Sequence, residues 1–431
     1  MGKRSVKALA TDPEERSYRA LLRAPHLGPA LFAMLLGRVG GAMLPVALVL
    51  TALTLYQSPP LAGFLSFLTV FPGLVAAPVI GALIDRFGRV RLIRIDYAVG
   101  AALTLLIAAL AFASPPETSV LLGLTLVLGI TQMFSDAGMR SLFADIVPNH
   151  LWERVNAADS SGYQVAWIAG PPLAAILFSI GGASVTFLGV AVAFGLAKLG
   201  LHRVRETSRP MPESIDIVRS ARTGVGYVWR NSTLRGLAAS VSVTNVCFGV
   251  VTVLVPIILV DELATDPIFV GLAFAVAGVL GVVAAVLFGR VNTAGRERLL
   301  IVLASAGVTL SAALLLAAAT AHAAVAVPWI FGSMIVFGLS GGIWDIGVFT
   351  LRQRRTDPRM VSRAFAISMA LNQSGFPIGA AVGGWLAATS IDSAIVVGVA
   401  FGCVGTALAV ALLPRDATMP AAATAIRRHR G

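Results

Sequence analysis

Residues 81–91, GALIDRFGRVR, are a short basic segment that separates two long apolar runs, residues 61–83 and 91–113. Each run has about the 20 residues that an α-helix needs to cross a hydrocarbon core of about 30 Å. Asp85 stands where the first run ends, so its carboxylate can accept hydrogen bonds from the first N–H groups of the next helix. The stretch therefore predicts two membrane-spanning helices joined by a tight turn.

The composition of the whole chain agrees with this interpretation. Of its 431 residues, 57% are hydrophobic and 13% are charged, whereas a soluble globular chain has about 25% charged residues. A water-facing protein has too little interior to bury so much apolar surface, so a bilayer must cover it. Two cysteines and five histidines are too few for a disulfide framework, a zinc cluster or a Cys/His catalytic pair. Neither a metal nor a cofactor is expected.

Twelve apolar runs are long enough to span a membrane. They cover residues 28–56, 61–83, 91–113, 118–140, 155–179, 183–201, 235–260, 268–289, 298–319, 325–349, 362–388 and 393–413. The first run is too long for the apolar region of a cleavable signal peptide and follows a charged segment, so we expect it to stay in the protein. The sequence predicts an all-α membrane protein with twelve transmembrane helices.

Lysine and arginine, which are enriched in cytoplasmic loops, give the predicted orientation. With the N-terminus inside, 31 of the 33 Lys and Arg residues fall in cytoplasmic segments, among them 86–94 and 352–363. Arg38 and Lys198 are the exceptions, within or at the end of a span. Both termini are thus expected in the cytoplasm. Because the basic residues are spread over seven segments, nucleic-acid binding is not expected.

The twelve runs form two sets of six that resemble each other. GRVRLI at 88–93 is answered by GRERLL at 295–300, 207 residues later, and Pro148–Asn156 is answered by Pro358–Phe365. Parallel six-helix repeats build one class of secondary transporter, with the substrate near the bilayer midplane between the halves. The predicted division is a cytoplasmic arm at 1–27, a six-helix bundle at 28–201, a linker at 202–234, a second bundle at 235–413 and a basic tail at 414–431.

Residues 81–91 resemble the G-x-x-x-D-R-x-G-R-[RK] loop signature of the major facilitator superfamily, and they lie at its expected place between spans two and three. The likeness extends over nearly the whole chain. Residues 141–158, SLFADIVPNHLWERVNAA, and 234–245, LRGLAASVSVTN, are similar to segments of its bacterial drug and siderophore exporters. The opening at 18–50 is similar to actinobacterial members. The resemblance implies a prokaryotic cytoplasmic-membrane transporter that handles a small molecule and commonly works as a monomer.

The loop signature has a physical interpretation of its own. Gly81 and Gly88 permit close helix approach and a tight turn because they lack a Cβ. Arg86, Arg89 and Arg91 are expected to face the lipid head groups.

The resemblance further implies a gate on the cytoplasmic side. Asp85 and Arg89 would form a charge latch with an acid on span four. In this sequence Asp136 is expected to be that acid. In the second half the residue corresponding to Asp85 is Asn292. That copy is therefore expected to be degenerate, and the two latches are expected to differ in strength.

Arg38 stands about ten residues into the first span, roughly 15 Å from the cytoplasmic edge. A cation at that depth is costly unless it is paired or lies in a wet cavity. Arg38 is therefore expected either to be buried against an acid or backbone carbonyls, or to face the central cavity and bind an anionic group or tune a carboxylate. The candidate partners are Asp136 and Asp159. If either alternated between Arg-paired and protonated forms, its proton affinity would change with the access state, as proton antiport requires.

Four acids lie in or near spans: Asp96, Asp136, Asp159 and Asp345. Pairing with arginines at helix ends is their default role, and Asp136 and then Asp159 are the strongest candidates to carry a proton. Asp345 follows Asp136 by 209 residues, close to the repeat offset, so it is expected at the matching place on span ten. Many proton-coupled exporters of the superfamily have an acid in span one, where this chain has Gly40-Gly41-Ala42.

Polar and aromatic residues on the spans that line the cavity in the superfamily predict a mixed apolar and polar pocket. They are Gln132, Tyr163, Gln164, Trp167, Asn245, Trp344, Asn372 and Gln373. Such a pocket suits amphipathic organic molecules better than sugars. Several of these side chains are also suited to hydrogen bonding between helices.

Span five carries Gly162, Gly170, Pro171 and Pro172, which partly resemble the antiporter glycine-proline signature. The second glycine pair of that signature is Ala174-Ala175 here. Because small residues let helices touch and bend, the segment predicts a hinge and a proton seal. Between spans six and seven, residues 215–231 have helical spacing of apolar residues among arginines and predict an interfacial amphipathic helix, a tether or a regulator.

The leading functional prediction is a secondary active exporter of small amphipathic molecules, driven by proton antiport. The alternatives are transport of an anionic cargo such as a siderophore, in either direction, and a non-transporting membrane sensor. An enzyme is not expected, since the spans hold no pair of histidines and no H-E-x-x-H motif. ATP-driven transport is not expected either, because the chain has no G-x-x-x-x-G-K-[ST] loop.

Overall fold

A computed structural model describes residues 26–148, 151–204, 225–289, 295–357 and 361–415. Within these ranges the regular structure is entirely helical. The helices are α1 Leu27–Leu55, α2 Pro59–Phe87, α3 Arg89–Ala113, α4 Thr118–Ile146, α5 Trp152–Gly200, α6 Ser232–Pro256, α7 Ile268–Gly289, α8 Glu297–Thr320, α9 Ala323–Arg355, α10 Val361–Gln373, α11 Gly375–Ala387 and α12 Ile391–Leu412. The predicted all-α membrane fold is confirmed.

Short polar residues set several helix starts. Ser58 precedes α2, where its Oγ accepts from the Leu61 N–H at 3.3 Å and Pro59 takes the first helical position. The Asn231 side chain caps α6 by accepting from the N–H groups of Thr233 and Leu234. These caps satisfy N–H groups that have no partner inside the helix.

Ten of the described helices are long and apolar enough to cross a membrane. Two features relate this number to the twelve predicted runs. α5 has 49 residues, about 74 Å of helix, but its backbone leaves helical geometry at Gly181 and Gly182, where Gly182 has φ of 64°. α10 and α11 have 13 residues each and adjoin at Ser374. Dividing α5 and joining α10 to α11 matches all twelve runs, although the number of crossings stays a prediction.

Two helices continue beyond their predicted ends. α4 ends at Ile146 and α9 at Arg355, six residues past the predicted ends at 140 and 349. Both extensions lie at the predicted cytoplasmic face and carry charged residues. Charged residues that were predicted to lie in loops therefore lie on helices.

The two halves approach closely at the predicted outer ends of their helices. A Cβ on Gly63 of α2 would lie 2.9 Å from Gly384 Cα of α11. A Cβ on Gly271 of α7 would lie 2.9 Å from Pro172 Cα of α5. Such near backbone contact needs glycine. These contacts close the outer side of the bundle.

Parts of the predicted division lie outside the described residues. These are most of the arm at 1–27, residues 205–224 of the linker, and most of the tail at 414–431. Of the predicted amphipathic helix, only residues 225–230 are described as helical. There Val228 is buried against Leu234 and Leu237, while Val225 and Trp229 are exposed.

Candidate functional site

Solvent-accessible polar and aromatic side chains from both halves define a candidate site, which we call the cleft, on the predicted cytoplasmic side of the outer contacts. Asp136, Tyr163, Gln164 and Trp167 from the first half are solvent-accessible there, and so are Asp345 and Gln373 from the second. Tyr163 lies within electrostatic range of both Asp136 and Asp345, so the two halves present these groups to a common space. Tyr163 and Trp167 also contact each other, with ring centroids 6.3 Å apart.

Arg38 is buried beside the cleft in an ion pair. Its Nη2 lies 2.7 Å from Asp159 Oδ1, and its Nη1 donates to the Asp159 carbonyl oxygen at 2.5 Å. The two side chains are 9% and 6% exposed. The guanidinium also stands 5.6 Å from the centroid of the Tyr163 ring. Of the two candidate partners of Arg38, Asp159 is therefore the one in direct contact. In this structure Arg38 is buried against an acid and a backbone carbonyl.

Arg140 completes this group from α4. Its Nε lies 3.3 Å from Asp159 Oδ2, so one carboxylate joins arginines from two helices. Asp136, one turn earlier on α4, is within electrostatic range of Arg38, Arg140 and Asp159. Asp159 thus ties α1 and α4 to α5.

Small residues let α1 lie close to its neighbours at this level. A Cβ on Gly162 would meet the Met34 side chain and lie 3.7 Å from Arg38 Nη1. A Cβ on Gly170 would lie 2.6 Å from Ala42 Cβ, and one on Gly41 would lie 2.5 Å from Gln132 Nε2. Gly162 and Gly170 are thus contact residues for α1. Pro171 and Pro172 lie inside α5, and bending at this segment stays a prediction.

The second half contains a buried arginine of its own. Arg352 on α9 is 1% exposed; its Nε lies 3.1 Å from Ser368 Oγ and its Nη1 2.9 Å from Met369 Sδ. It is also within electrostatic range of Asp345. Arg352 belongs to the predicted cytoplasmic segment 352–363, and α9 continues through it.

Asn372 and Asn245 extend this group. In the amide orientation that gives both the oxygen and the nitrogen of the Asn372 side chain a partner, the oxygen accepts from Arg352 Nη2 at 2.5 Å. The nitrogen then donates to the Ser368 carbonyl oxygen at 3.0 Å. Asn245 on α6 donates to the Asn372 carbonyl oxygen at 2.7 Å. These asparagines bond helix to helix. Trp344 is half-buried against the cytoplasmic core cluster of the second half.

The loop signature forms the expected tight turn, with one correction at the latch. Gly88 has φ of 90°, which glycine adopts without strain, between α2 and α3. Arg89 Nη1 lies 3.5 Å from Asp145 Oδ1, and the Asp145 side chain is 1% exposed. The acid on α4 that Arg89 contacts is thus Asp145. Asp136 lies nine residues earlier, about 13 Å deeper along the helix, so assigning it to this latch is wrong.

The other residues of the signature have separate places. Gly81 has open space where a Cβ would stand, so the expected close approach there is absent. Arg86 is exposed and stacks on Phe87, and Arg91 is exposed beside a surface groove with Arg94 and Lys198. The side chain of Asp85 lies outside the described residues, as does Asn292.

The matching loop of the second half holds an ion pair with the opposite polarity. Gly295, 207 residues after Gly88, also has positive φ, 79°. Glu297, at the start of α8, pairs with Arg354 near the end of α9 at 2.5 Å, and Glu297 is 2% exposed. The expectation of a degenerate second copy, drawn from Asn292, missed this pair. We call Arg89–Asp145 and Glu297–Arg354 the two latches.

Sequence reasoning missed Arg140, Asp145, Arg352 and Glu297 as structural partners. Three of them lie in or beside the polar ends of α4 and α9, which hydropathy assigns to loops. A usable signal was present, since Arg140 stands four residues after Asp136 and Arg352 seven residues after Asp345, which is helical spacing. Among the described residues, no three His, Cys, Asp or Glu side chains are grouped to hold a metal ion.

A hydrogen bond joins the halves at the closed outer side. Ser179 Oγ donates to Asp266 Oδ1, and the Ile268 N–H donates to the same oxygen at 2.8 Å. These hydrogen bonds, that of Ser179 first, hold the pKa of Asp266 below its ordinary value. The ionised Asp266 carboxylate therefore accepts these hydrogen bonds at any pH above the ordinary Asp pKa. The contribution of these bonds to stability is lost as the pH falls through the lowered pKa of Asp266.

Comparison with known proteins gives consistent matches. Residues 30–367 match the family model of the Major Facilitator Superfamily. An uncharacterized MFS-type transporter of Sinorhizobium fredii is 35% identical over 407 residues, which cover 93% of this chain and 98% of the relative. The multidrug efflux pump Tap of Mycobacterium tuberculosis is 27% identical over 275 residues, which cover 60% of this chain and 64% of Tap.

Solved structures share the fold at low identity. The nucleoside transporter NupG has a TM-score of 0.67 at 14% identity, covering 90% of this chain and 98% of that one. A bacterial homologue of the iron transporter ferroportin, in an inward-facing state, has a TM-score of 0.66 at 17% identity, covering 89% and 98% of the two chains. At these identities the likeness concerns the fold alone.

Proposed function

The chain belongs to the Major Facilitator Superfamily, and from this premise we propose that it is a secondary active exporter. It moves small amphipathic organic molecules outward in exchange for protons, by alternating access, as a monomer in a bacterial cytoplasmic membrane. The observation that carries the proposal is the cleft, to which both halves contribute a carboxylate and one half contributes two aromatic rings. Carboxylates and aromatic faces attract a cationic or neutral amphipathic molecule.

The charges around the cleft disfavour the anionic cargo. Recognition of an anion by Arg38 would require its guanidinium to be available, but the carboxylate Oδ1 and the carbonyl oxygen of Asp159 hold it. Arg352 is 1% exposed and is held by Ser368 and Met369. Asp136 and Asp345 are accessible and would repel an anion, and the exposed Arg140 is paired with Asp159.

The arrangement of the halves supports a loading state for export. The outer ends are in near backbone contact through Gly63 and Gly384, while the cleft residues are accessible on the predicted cytoplasmic side. An exporter must take up cargo from that side. The similarity to Tap, whose name describes it as a multidrug efflux pump, agrees with this direction.

The test uses inside-out membrane vesicles that contain the protein, acidified within by respiration. Ethidium, a fluorescent amphipathic cation, is added outside, and its accumulation and the internal pH are followed together. We expect protein-dependent ethidium uptake with release of internal protons. Both should be lost in Asp136→Asn and retained in the matched control Asp392→Asn, which removes an exposed acid outside the cleft.

Three outcomes would redirect the proposal. Uptake that is independent of the pH gradient would contradict antiport. Transport of an anionic chelator in place of ethidium would restore the anionic cargo. If folded protein in the membrane transports none of the cations, neutral drugs and anions, the result would favour a non-transporting membrane sensor.

A further inference from the structure

Asp96 is a buried acid that the cleft does not use. It lies on α3, about two turns from the cytoplasmic start of the helix, and is 4% exposed. Its Oδ2 is buried without a hydrogen-bond partner. A buried ionised carboxylate is costly unless a cation or several donors compensate it. Asp96 therefore needs either a cation or a proton.

The groups that face Asp96 come from α3 and α4 and include no cation in contact. The Ser135 and Thr131 hydroxyls lie within its hydrogen-bonding range, but these hydroxyls also donate to carbonyl oxygens of their own helix, at 3.0 and 3.3 Å. The charged group that acts on Asp96 is Asp136, which repels a negative charge on it. Tyr97 lies beside it, 1% exposed and facing Arg38.

Within the group formed by Asp96, Asp136, Asp159, Arg38 and Arg140, the charges leave one negative charge over. Asp96, Asp136 and Asp159 carry three carboxylates, and Arg38 and Arg140 carry two guanidinium groups. Asp159 contacts both arginines, and Asp136 is accessible to water in the cleft. Only Asp96 combines burial with the lack of a contacting cation. A single proton on Asp96 neutralises the group.

We infer that Asp96 is the site that holds the exchanged proton, and that Asp136 passes this proton between Asp96 and the cleft. The inference rests on the proposed function and assigns its coupling residue. The state described holds the proton on the Asp96 carboxylic acid, from which it passes to the Asp136 carboxylate and then to water in the cleft. In the outward-open state the same carboxylate takes up one proton. One proton is exchanged per cycle.

The first measurement is infrared spectroscopy of the purified full chain in lipid. A protonated carboxylic acid has a C=O stretching band apart from the amide bands. We expect such a band at neutral pH in the wild type, in Asp136→Asn and in the control Asp392→Asn, and its loss in Asp96→Asn. Absence of the band in the wild type, or its persistence in Asp96→Asn, would overturn the inference.

The second measurement separates proton coupling from cargo binding, with ethidium as the probe. Asn mimics a permanently protonated Asp96, so Asp96→Asn should lose the ethidium uptake that the pH gradient drives. The variant should keep ethidium exchange, which is measured with vesicles that are preloaded with unlabelled ethidium and placed in medium with labelled ethidium. Retained gradient-driven uptake, or loss of exchange from a correctly folded protein, would contradict the assignment. If the wild type ignores ethidium, the proposed cargo class fails, while the infrared result still decides the proton site.

Discussion

Asp159 pairs with two arginines, whereas Arg38 pairs with Asp159 as its acid. Substitutions at Asp159 and at Arg38 should therefore differ in their effect on stability. Removing one partner of a buried ion pair leaves the other charge uncompensated. Asp159→Asn deprives both Arg38 and Arg140 of their carboxylate, whereas Arg38→Gln leaves Asp159 paired with Arg140. The two changes are therefore unequal although they break the same contact.

We expect Asp159→Asn to lower the free energy of unfolding by about 3 to 5 kcal/mol, and Arg38→Gln to lower it by less. The double variant should be more stable than the sum of the single changes predicts, because the partners are in contact. Reversible unfolding in detergent micelles measures all three, with Asp392→Asn as the control. Equal single effects that add would contradict the network.

The cleft aromatics make a second prediction at this scale. Trp167→Ala should raise the KM for ethidium by about two- to tenfold, since an aromatic or cation–π contact contributes about 0.5 to 1.5 kcal/mol. Trp385→Ala is the matched control, because Trp385 is 68% exposed on α11 and is assigned to no site. Initial uptake rates in vesicles measure KM. An equal change in both variants would argue against a role for Trp167 in binding.

At the scale of helices, the two latches are related by the internal repeat but have opposite polarity. In the first half a cation at the start of α3 meets an acid near the end of α4. In the second, an acid at the start of α8 meets a cation near the end of α9. The repeat thus keeps the ion pair and exchanges its signs.

Exchanging the charges of the second latch should be tolerated. Glu297→Arg or Arg354→Glu alone should each cost on the order of 1 to 3 kcal/mol of unfolding free energy, because like charges then face each other. The double variant Glu297→Arg with Arg354→Glu should recover most of that cost. Thermal unfolding of the three proteins is the measurement. No recovery in the double variant would mean that the contact contributes nothing.

The helices themselves were largely predictable, and their polar ends were not. Hydropathy placed the break in α5 between 179 and 183, where Gly181 and Gly182 leave helical geometry. It ended α4 and α9 six residues early, because it reports apolar character and not backbone hydrogen bonding. Asp145 and Arg354 lie on those extensions. The candidate cleft residues were found from their polarity, but their partners depend on which helices touch, which one sequence does not reveal.

At the scale of the whole molecule, outer closure should be lockable. Ser179 and Asp266 belong to different halves and share a hydrogen bond. Ser179→Cys with Asp266→Cys, in a Cys403→Ser background that removes the exposed native thiol, should form a disulfide under mild oxidation and abolish ethidium transport.

Reduction of that disulfide should restore transport, and each single cysteine variant should be insensitive to oxidant. Gel mobility after proteolytic cleavage between the halves reports the cross-link, and vesicle uptake reports activity. Full transport by the cross-linked protein would show that the outer ends need not separate, which would contradict alternating access.

The opposite polarity of the two latches also bears on how the chain assembles. Two similar six-helix units made one after the other could each capture a helix of the other, a known failure of repeat proteins. Arg89 brought to the end of α9 would meet Arg354, and Glu297 brought to the end of α4 would meet Asp145. Both exchanges place like charges together, whereas both native pairings attract. The sign reversal therefore disfavours the exchange of these helices between the halves.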